Sequence, residues 1–229
     1  MLRPKKKISK RDLKEDALVT TYVKVTSFYE ANKRTISIAL TALVVAVFAI
    51  VIYAKNRADN NEKAVTALGA IFESYDAGQF QTAVDGIPEK NVQGLRSIVD
   101  NYGNSASGDL ARFYLASAYV QLGRSDEALK EFEDCSPPGE LLAVARLSGI
   151  GSCYESRGKF KEAAGSFEKA ATQYPKDASA AENLNNAARD YAQAGDRDKA
   201  IDLYKRIKKN YPTTAFAREA DRFIAQLSV

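Results

Sequence analysis

Twenty consecutive residues without a charged, amide, glycine or proline side chain, residues 35–54 (TISIALTALVVAVFAIVIYA), divide the chain into a short first part and a long second part. At a rise of ~1.5 Å per residue, such a helix is about 30 Å long, the thickness of a bilayer core. A buried core helix normally keeps a polar stripe, whereas this segment has only four hydroxyl groups, with Tyr53 near its end. The pattern therefore predicts a transmembrane helix.

The segments beside this span also have helical features. No proline occurs between Pro4 and Pro88 and no glycine before Gly69, so the span is expected to belong to one long helix. Upstream, apolar side chains recur at helical spacing at Leu18, Tyr22, Val25 and Tyr29. Two interpretations stay open: an amphipathic helix on the membrane surface or a membrane partner, and a plain extension of the anchor. A cleavable signal peptide is not expected, because the apolar run exceeds the usual ~7 to 15 residues.

Three units in the second part repeat one pattern of apolar and small residues, beginning at Asp109, Val144 and Ala181. In each unit a tyrosine precedes an alanine by nine residues, with a glycine between them. The landmarks are Leu115, Ala116, Tyr119, Gly123, Ala128 and Phe132, then Leu147, Ile150, Gly151, Tyr154, Gly158, Ala163, Phe167 and Pro175, then Leu184, Ala188, Tyr191, Gly195, Ala200, Tyr204 and Pro212. The spacing predicts pairs of antiparallel helices, in which small residues such as Gly151 mark the closest approach and the later glycine ends the first helix.

This pattern resembles the tetratricopeptide repeat, which has a period of about 34 residues and the signature W-x2-L-G-x2-Y, A-x3-F, P. The resemblance is strong over residues 109–212, with Arg112, Leu147 and Leu184 in the tryptophan position. It implies an all-α fold, in which helical hairpins stack into a solenoid. Residues 55–108 are expected to form a degenerate repeat with an insertion between Pro88 and Gly94. Residues 213–229 are expected to form a helix that caps the last repeat.

The order of segments carries a closer resemblance. The chain begins with a basic tail and continues with the motif Phe28-Tyr29-Glu30-x-Asn32-Lys33, an apolar span and repeats that end in Tyr-Pro. This order is similar to that of bacterial single-pass tetratricopeptide proteins related to the ancillary subunit of the Sec translocon. The resemblance implies a periplasmic repeat domain anchored in the inner membrane. It also implies partners among translocon components, periplasmic chaperones and exported chains.

Charge is distributed unevenly along the chain. Residues 1–34 contain ten basic and four acidic residues, which leaves a charge of −2 for the rest of a chain with a net charge of +4. A basic tail on a near-neutral body favours an anionic membrane surface or a topology signal over nucleic acid. The short, Lys- and Arg-rich tail is therefore placed in the cytoplasm and the domain after Ala54 on the opposite side of the bilayer.

Candidate catalytic chemistry is sparse. The chain has no histidine and two cysteines, which excludes histidine-based catalytic triads and four-ligand zinc sites. Gly103 and Gly108 have phosphate-loop spacing, but no lysine follows. We therefore expect no catalytic residues, metal or cofactor. Cys135 and Cys153 fall on the proposed oxidising side, yet buried free thiols are the commoner outcome in a repeat, and no disulfide is expected.

The first helices of stacked repeats line the face on which repeat proteins usually bind partners. The predicted groove residues are Phe113, Ser117, Val120, Gln121, Ser148, Ser152, Glu155, Asn185, Arg189 and Gln193. Chaperone-binding members of the resembled family hold a terminal carboxylate with Lys and Asn, and these positions carry no such set here. An apolar patch near Phe113 is expected, grading into a neutral polar surface. The alternative, that a partner uses another face, stays open.

Two function hypotheses follow. The first is an interaction protein that tethers soluble partners or client chains beside a membrane complex. The second is a structural or assembly subunit built into a larger membrane complex. A tether should copurify with several soluble proteins, whereas a built-in subunit should be present at fixed stoichiometry in one complex.

Overall fold

A computed structural model describes residues 10–228, with side chains described over residues 19–228. The helices are α1 (Lys10–Asp76), α2 (Phe80–Asp85), α3 (Leu95–Tyr102), α4 (Ala106–Gln121), α5 (Ser125–Asp134), α6 (Glu140–Ser156), α7 (Phe160–Gln173), α8 (Ala180–Gln193), α9 (Arg197–Asn210) and α10 (Ala215–Leu227). Two short strands, β1 (Gly86–Ile87) and β2 (Val92–Gln93), flank a 3-10 turn (Pro88–Lys90). The chain divides into two compact units between Asn56 and Arg57.

In the first unit, α1 is long and apolar enough to cross a membrane. The large apolar side chains of residues 35–54 are exposed, for example Phe48 at 65% and Ile50 at 66%. A helix from a protein core would bury such side chains, so this segment has the surface expected of a lipid-facing helix. Tyr22, Val25 and Tyr29 are exposed as well. Of the predicted basic tail, residues 1–9 lie outside the described residues, as does the side chain of Leu18.

In the second unit, three helix pairs, α4/α5, α6/α7 and α8/α9, correspond to the three sequence units. Each turn contains the predicted glycine in the left-handed region, with φ of 70° at Gly123, 69° at Gly158 and 85° at Gly195. One hydrogen bond recurs at each turn, from the amide after the glycine to the carbonyl of the repeat tyrosine, at 2.8–2.9 Å. This closes the first helix in the same way three times.

The predicted small residues lie where paired helices touch. Ala116, Ala128, Ala188 and Ala200 have no exposed surface. A Cβ atom added to Gly151 would lie 2.8 Å from Cζ of Phe167, closer than carbon atoms approach. The glycine therefore permits the spacing between α6 and α7.

The segment before these pairs combines the last turns of α1 with α2, joined at Gly78 with φ of 72°. The insertion that follows contains an antiparallel pair, Gly86 opposite Gln93 and Ile87 opposite Val92. The sequence prediction of helices alone did not include this hairpin. It forms because Gly86 and Gly94 bring two backbones together, since a Cβ on Gly94 would lie 2.4 Å from the Gly86 nitrogen. Within residues 10–228 the other regular elements are helices.

The last helix, α10, covers the end of the repeats. Its Phe223 ring stacks on Tyr204 of α9 with centroids 5.0 Å apart, and Ala220 is fully buried. Thr214 caps the helix by accepting a hydrogen bond from the Ala217 amide at 3.3 Å. These contacts belong to a core formed by α7 to α10, while a separate core extends from α1 to α6.

Both cysteines lie in this earlier core as free, buried thiols. Cys135 follows the end of α5 and Cys153 lies within α6. Burial raises the pKa of each thiol to about 11. Both side chains therefore pack as small apolar groups.

Candidate functional site

The first helices of successive pairs contact one another in the second unit and form one continuous surface, which we call the groove face. The ring of Phe72 on α1 meets that of Tyr114 on α4 edge-on, with centroids 4.9 Å apart. Helix α4 in turn contacts α6. Between α6 and α8, the Ser148 hydroxyl donates to Oδ1 of Asn183 at 2.8 Å. Stacked first helices thus present their side chains on one side, the usual binding surface of a helical solenoid.

A cleft of about 500 Å³ lies on this face between α6 and α8, and we call it the polar cleft. Its polar lining is Ser148, Ser152, Asp177, Ser179, Glu182, Asn183 and Asn186, and its apolar lining includes Leu141, Val144 and Ala145. Some of these groups are already paired, since Asp177 accepts hydrogen bonds from the amide and hydroxyl of Ser179. Glu182 is exposed and forms no ion pair among the described residues. The cleft therefore offers hydrogen-bonding groups beside an apolar strip.

Arg189 bridges the two helices beyond this cleft. Its guanidinium donates to Oε1 of Glu155 at 2.6 Å and to Oδ1 of Asn186 at 3.4 Å. It also lies 3.7 Å from the carboxylate of Asp190, which is fully buried. Burial, and secondarily Glu155, raises the pKa of Asp190 to about 6, although Arg189 opposes the shift. Neither Asp190 oxygen has a hydrogen-bond partner in the described structure.

A second cleft, of about 320 Å³, lies between the last part of α1 and α4, and we call it the apolar cleft. Its lining is Val65, Leu68, Gly69, Phe72, Ser107, Leu110 and Tyr114. Ser107 lies at its edge, where its amide donates to Oδ1 of Asn61 at 2.8 Å. The groove face therefore changes from apolar at the first pairs to polar at the last ones.

Two family models for the tetratricopeptide repeat match the chain, one over residues 142–213 and the other over residues 111–136. Residues 111–136 and 142–213 match tetratricopeptide repeats. Among solved structures it is similar to a kinesin light chain-type protein of Podosopora anserina with nearly identical TPR-like repeats, at 16% identity and a TM-score of 0.54, over 73% of this chain and 86% of that chain. A single-substitution variant of that protein matches with a TM-score of 0.53, at 16% identity over 73% and 85%. No curated protein matches.

These similarities confirm the predicted fold of tetratricopeptide-type helical hairpins. At 16% identity the structural similarity shows the fold alone. Tetratricopeptide repeats are protein-interaction modules, so the groove face is the surface to compare with the predicted site residues. Among residues 19–228, no group of three or more His, Cys, Asp or Glu residues could hold a metal ion.

Phe113 was predicted to form an exposed apolar patch in the groove, and this is wrong. Its side chain is only 7% exposed, and its ring packs against Tyr114 at 5.6 Å and Phe132 at 5.8 Å between centroids. Phe132 in turn lies over Gly149, where an added Cβ would come within 2.5 Å of the ring. The missing side chain at Gly149 gives the aromatic pair room between the helices. The exposed apolar surface lies instead between α1 and α4, in the apolar cleft.

Most other predicted residues lie on or near the groove face, in different roles. Ser148 and Ser152 line the polar cleft. Glu155 and Arg189 pair with each other instead of pointing free into the groove. The Ser117 hydroxyl donates to the Phe113 carbonyl at 3.0 Å, and Val120 packs against the core that extends from α1 to α6. Gln121 and Gln193 are exposed at helix ends. Asn185 does not line the polar cleft, whereas Asn183 and Asn186 do.

Two sets of groove residues were missed. The first set lies on α1, and a sequence signal for it exists. Aligning the turn glycine Gly78 with Gly123 places Val65, Gly69 and Phe72 at groove positions, opposite Leu110, Tyr114 and Ser117 of the next repeat. The polar cleft residues Asp177 and Ser179 precede α8 in a loop, and repeat spacing carries no signal for them. Only the folded chain brings that loop against α6.

Proposed function

We propose that this protein is a membrane-anchored interaction scaffold, in which α1 supplies the anchor and the groove face of the tetratricopeptide repeats binds soluble proteins or client chains. The observation that carries the proposal is the pair of open clefts on the groove face. The apolar cleft and the polar cleft are lined by different chemistry, so an extended polypeptide can be recognised at two separate points.

Anchoring is supported by the exposed apolar side chains of residues 35–54, since no part of the described protein covers them. The Lys and Arg residues of the N-terminal tail favour a cytoplasmic N-terminus. On this proposal the repeats lie in the periplasm and the span lies in the bacterial inner membrane. The lipid bilayer is then a partner of α1, and nucleic acid is not a partner.

The sequence resemblance supports a finer proposal. The segment order around Phe28, Tyr29 and Lys33 is similar to that of proteins related to the ancillary translocon subunit. We place the scaffold beside the protein-export translocon, where periplasmic chaperones or emerging chains would meet the groove face. Holding both partners at one membrane raises their effective concentration without requiring new contacts.

Photo-crosslinking in intact cells tests this function. A crosslinker at Asn186, in the polar cleft, is expected to capture soluble periplasmic proteins or exported chains. A matched crosslinker at Lys169, exposed on the second helix α7, should not capture them. Capture at Lys169 and not at Asn186 would contradict the assignment of the groove face.

The alternative is a structural or assembly subunit of another inner-membrane complex. It predicts a fixed stoichiometry with one membrane complex, together with crosslinks from the span alone. Measuring the stoichiometry of the purified complexes therefore separates the two hypotheses. Several soluble partners at variable stoichiometry favour the scaffold.

A further inference from the structure

Gly69 lines the apolar cleft and has no side chain that could fill it. Gly69 precedes the turn glycine Gly78 by nine residues, and Tyr114 precedes Gly123 by nine, so the two residues hold the same position in successive repeats. A Cβ added at Gly69 would meet no atom within 4 Å. The space that a side chain would fill at this position is therefore empty, in the cleft that Tyr114 also lines.

Aromatic rings form one wall of the cleft. Phe72 meets Tyr114 edge-on at 4.9 Å, and Tyr75 contacts both rings, at 5.7 Å and 5.2 Å between centroids. The rings hold one another in place, so the wall is formed before a ligand binds. A wall of this kind favours an aromatic or branched aliphatic side chain, which gains edge-to-face contacts as well as burial. A volume of about 320 Å³ suits one such side chain with its backbone.

The charged residues on the side of α1 that carries Gly69 have one sign. On the side of α1 that carries Gly69, the charged residues one or two turns away are Glu62, Glu73 and Asp76, at positions −7, +4 and +7. All three are exposed, and none forms an ion pair among the described residues. A ligand with a basic residue next to its apolar anchor would meet complementary charge here.

Building on the proposed function, we infer that the apolar cleft binds an extended peptide segment in which an aromatic or branched aliphatic residue is flanked by Lys or Arg. The apolar side chain enters the space beside Gly69. The flanking basic side chains reach the carboxylates on α1. The cleft thus selects a class of peptide sequence and is not a general apolar surface.

The test uses the full-length protein in nanodiscs of uncharged phosphatidylcholine and three labelled peptides with capped ends in a Gly/Ser host. Their central sequences are Lys-Phe-Lys, Lys-Ala-Lys and Glu-Phe-Glu. Binding is followed by fluorescence anisotropy. We expect the Lys-Phe-Lys peptide to bind at least about tenfold more tightly than either of the others. The Lys-Ala-Lys peptide lacks the aromatic side chain that enters the cleft, and the Glu-Phe-Glu peptide lacks the basic side chains that pair with the carboxylates.

A cleft-filling variant identifies the site. Gly69→Leu places a side chain in the apolar cleft and keeps the residue compatible with a helix. It should weaken binding of the Lys-Phe-Lys peptide by about tenfold or more, with the helix content unchanged. The matched control is Gly165→Leu, at another exposed helical glycine with no atom within 4 Å, and it should leave binding unchanged. Reversing the charges with Glu73→Lys and Asp76→Lys should shift the preference toward the Glu-Phe-Glu peptide.

Equal binding of all three peptides, or full binding by the Gly69→Leu variant, would overturn the inference. If no peptide binds and Gly69→Leu alters only association with lipid vesicles, the cleft is a lipid contact and the inference is wrong. The scaffold proposal is tested separately. If crosslinks from Asn186 persist but no peptide binds, the scaffold proposal stands and the peptide specificity of the apolar cleft is wrong. If the crosslinks fail but the peptides bind as expected, the specificity of the cleft stands and the scaffold proposal is wrong.

Discussion

At Gly151 the absence of a side chain sets the distance between two helices. The ring of Phe167 occupies the space where a Cβ would lie, 2.8 Å away. We expect Gly151→Ala to destabilise the protein by about 1 to 3 kcal/mol, because the ring or the helix must move. Chemical unfolding of the full-length protein in detergent, followed by circular dichroism, measures the change.

Gly165→Ala is the matched control for this prediction. Gly165 lies in α7, is exposed, and has no neighbour within 4 Å of an added Cβ. Alanine should therefore stabilise the helix by about 0.5 to 1 kcal/mol, since it restricts the unfolded chain and fits the helix. A lower free energy of unfolding for Gly151→Ala and a higher one for Gly165→Ala would support the packing described. An unchanged free energy of unfolding for Gly151→Ala would contradict it.

Asp190 makes stability depend on pH. The same repeat position carries Ala118 and Cys153 in the earlier pairs, so the buried carboxylate replaces a small side chain. Its folded-state pKa of about 6 lies above the usual value of about 3.9. Ionisation therefore costs stability: the cost is absent below about pH 4, grows as pH rises, and is complete above about pH 6.

Asp190→Asn is accordingly expected to raise the free energy of unfolding by about 2 to 3 kcal/mol near pH 8 and to have little effect near pH 4. Unfolding curves of the two proteins at both pH values test this. A difference of the same size at both values would show that Asp190 does not titrate between them.

At the scale of elements, α10 closes the core of the last repeat. Ala220 on α10 is fully buried, whereas Ala225 on the same helix is exposed. Ala220→Asp should destabilise the end of the domain by about 3 kcal/mol or more, because it places an unpaired charge in the core. Ala225→Asp should change stability by less than about 0.5 kcal/mol.

Hydrogen exchange locates this effect. The amides of Leu203 and Ile207 in α9 are expected to exchange faster in the Ala220→Asp protein, while those of α4 keep their protection. Uniform acceleration over all the helix pairs would instead mean that the repeats unfold as one unit.

At the scale of the whole molecule, the proposed topology gives a direct prediction. A periplasm-dependent phosphatase fused after Val229 should be active, because the repeats are placed outside the cytoplasm. A reporter that is active only in the cytoplasm, fused at the same position, should be inactive. Activity of that second fusion would reverse the proposed orientation.

Much of this fold follows from short-range sequence signals. The turn glycines, such as Gly158, and the small residues, such as Ala163, hold fixed positions in each repeat, and both act within a single helical hairpin. The span is equally local, because twenty apolar residues are recognisable without a partner. Groove residues were harder to predict than turns or the span. The repeat alignment assumes that residues at the same position in different repeats have the same burial and neighbours. Phe113 and Ser148 are equivalent in register, yet one is buried and the other lines a cleft.

The sequence by itself determined the repeat architecture, its helix turns and the candidate span, because each depends on residues close together in the chain. Only the tertiary structure decided where the clefts lie, that Arg189 is paired with Glu155, and that a hairpin interrupts the helices at Gly86. These features depend on side chains from helices distant in sequence, such as Phe132 over Gly149 or Phe72 against Tyr114. Their positions are set by packing between elements, which the local pattern of one helix does not contain.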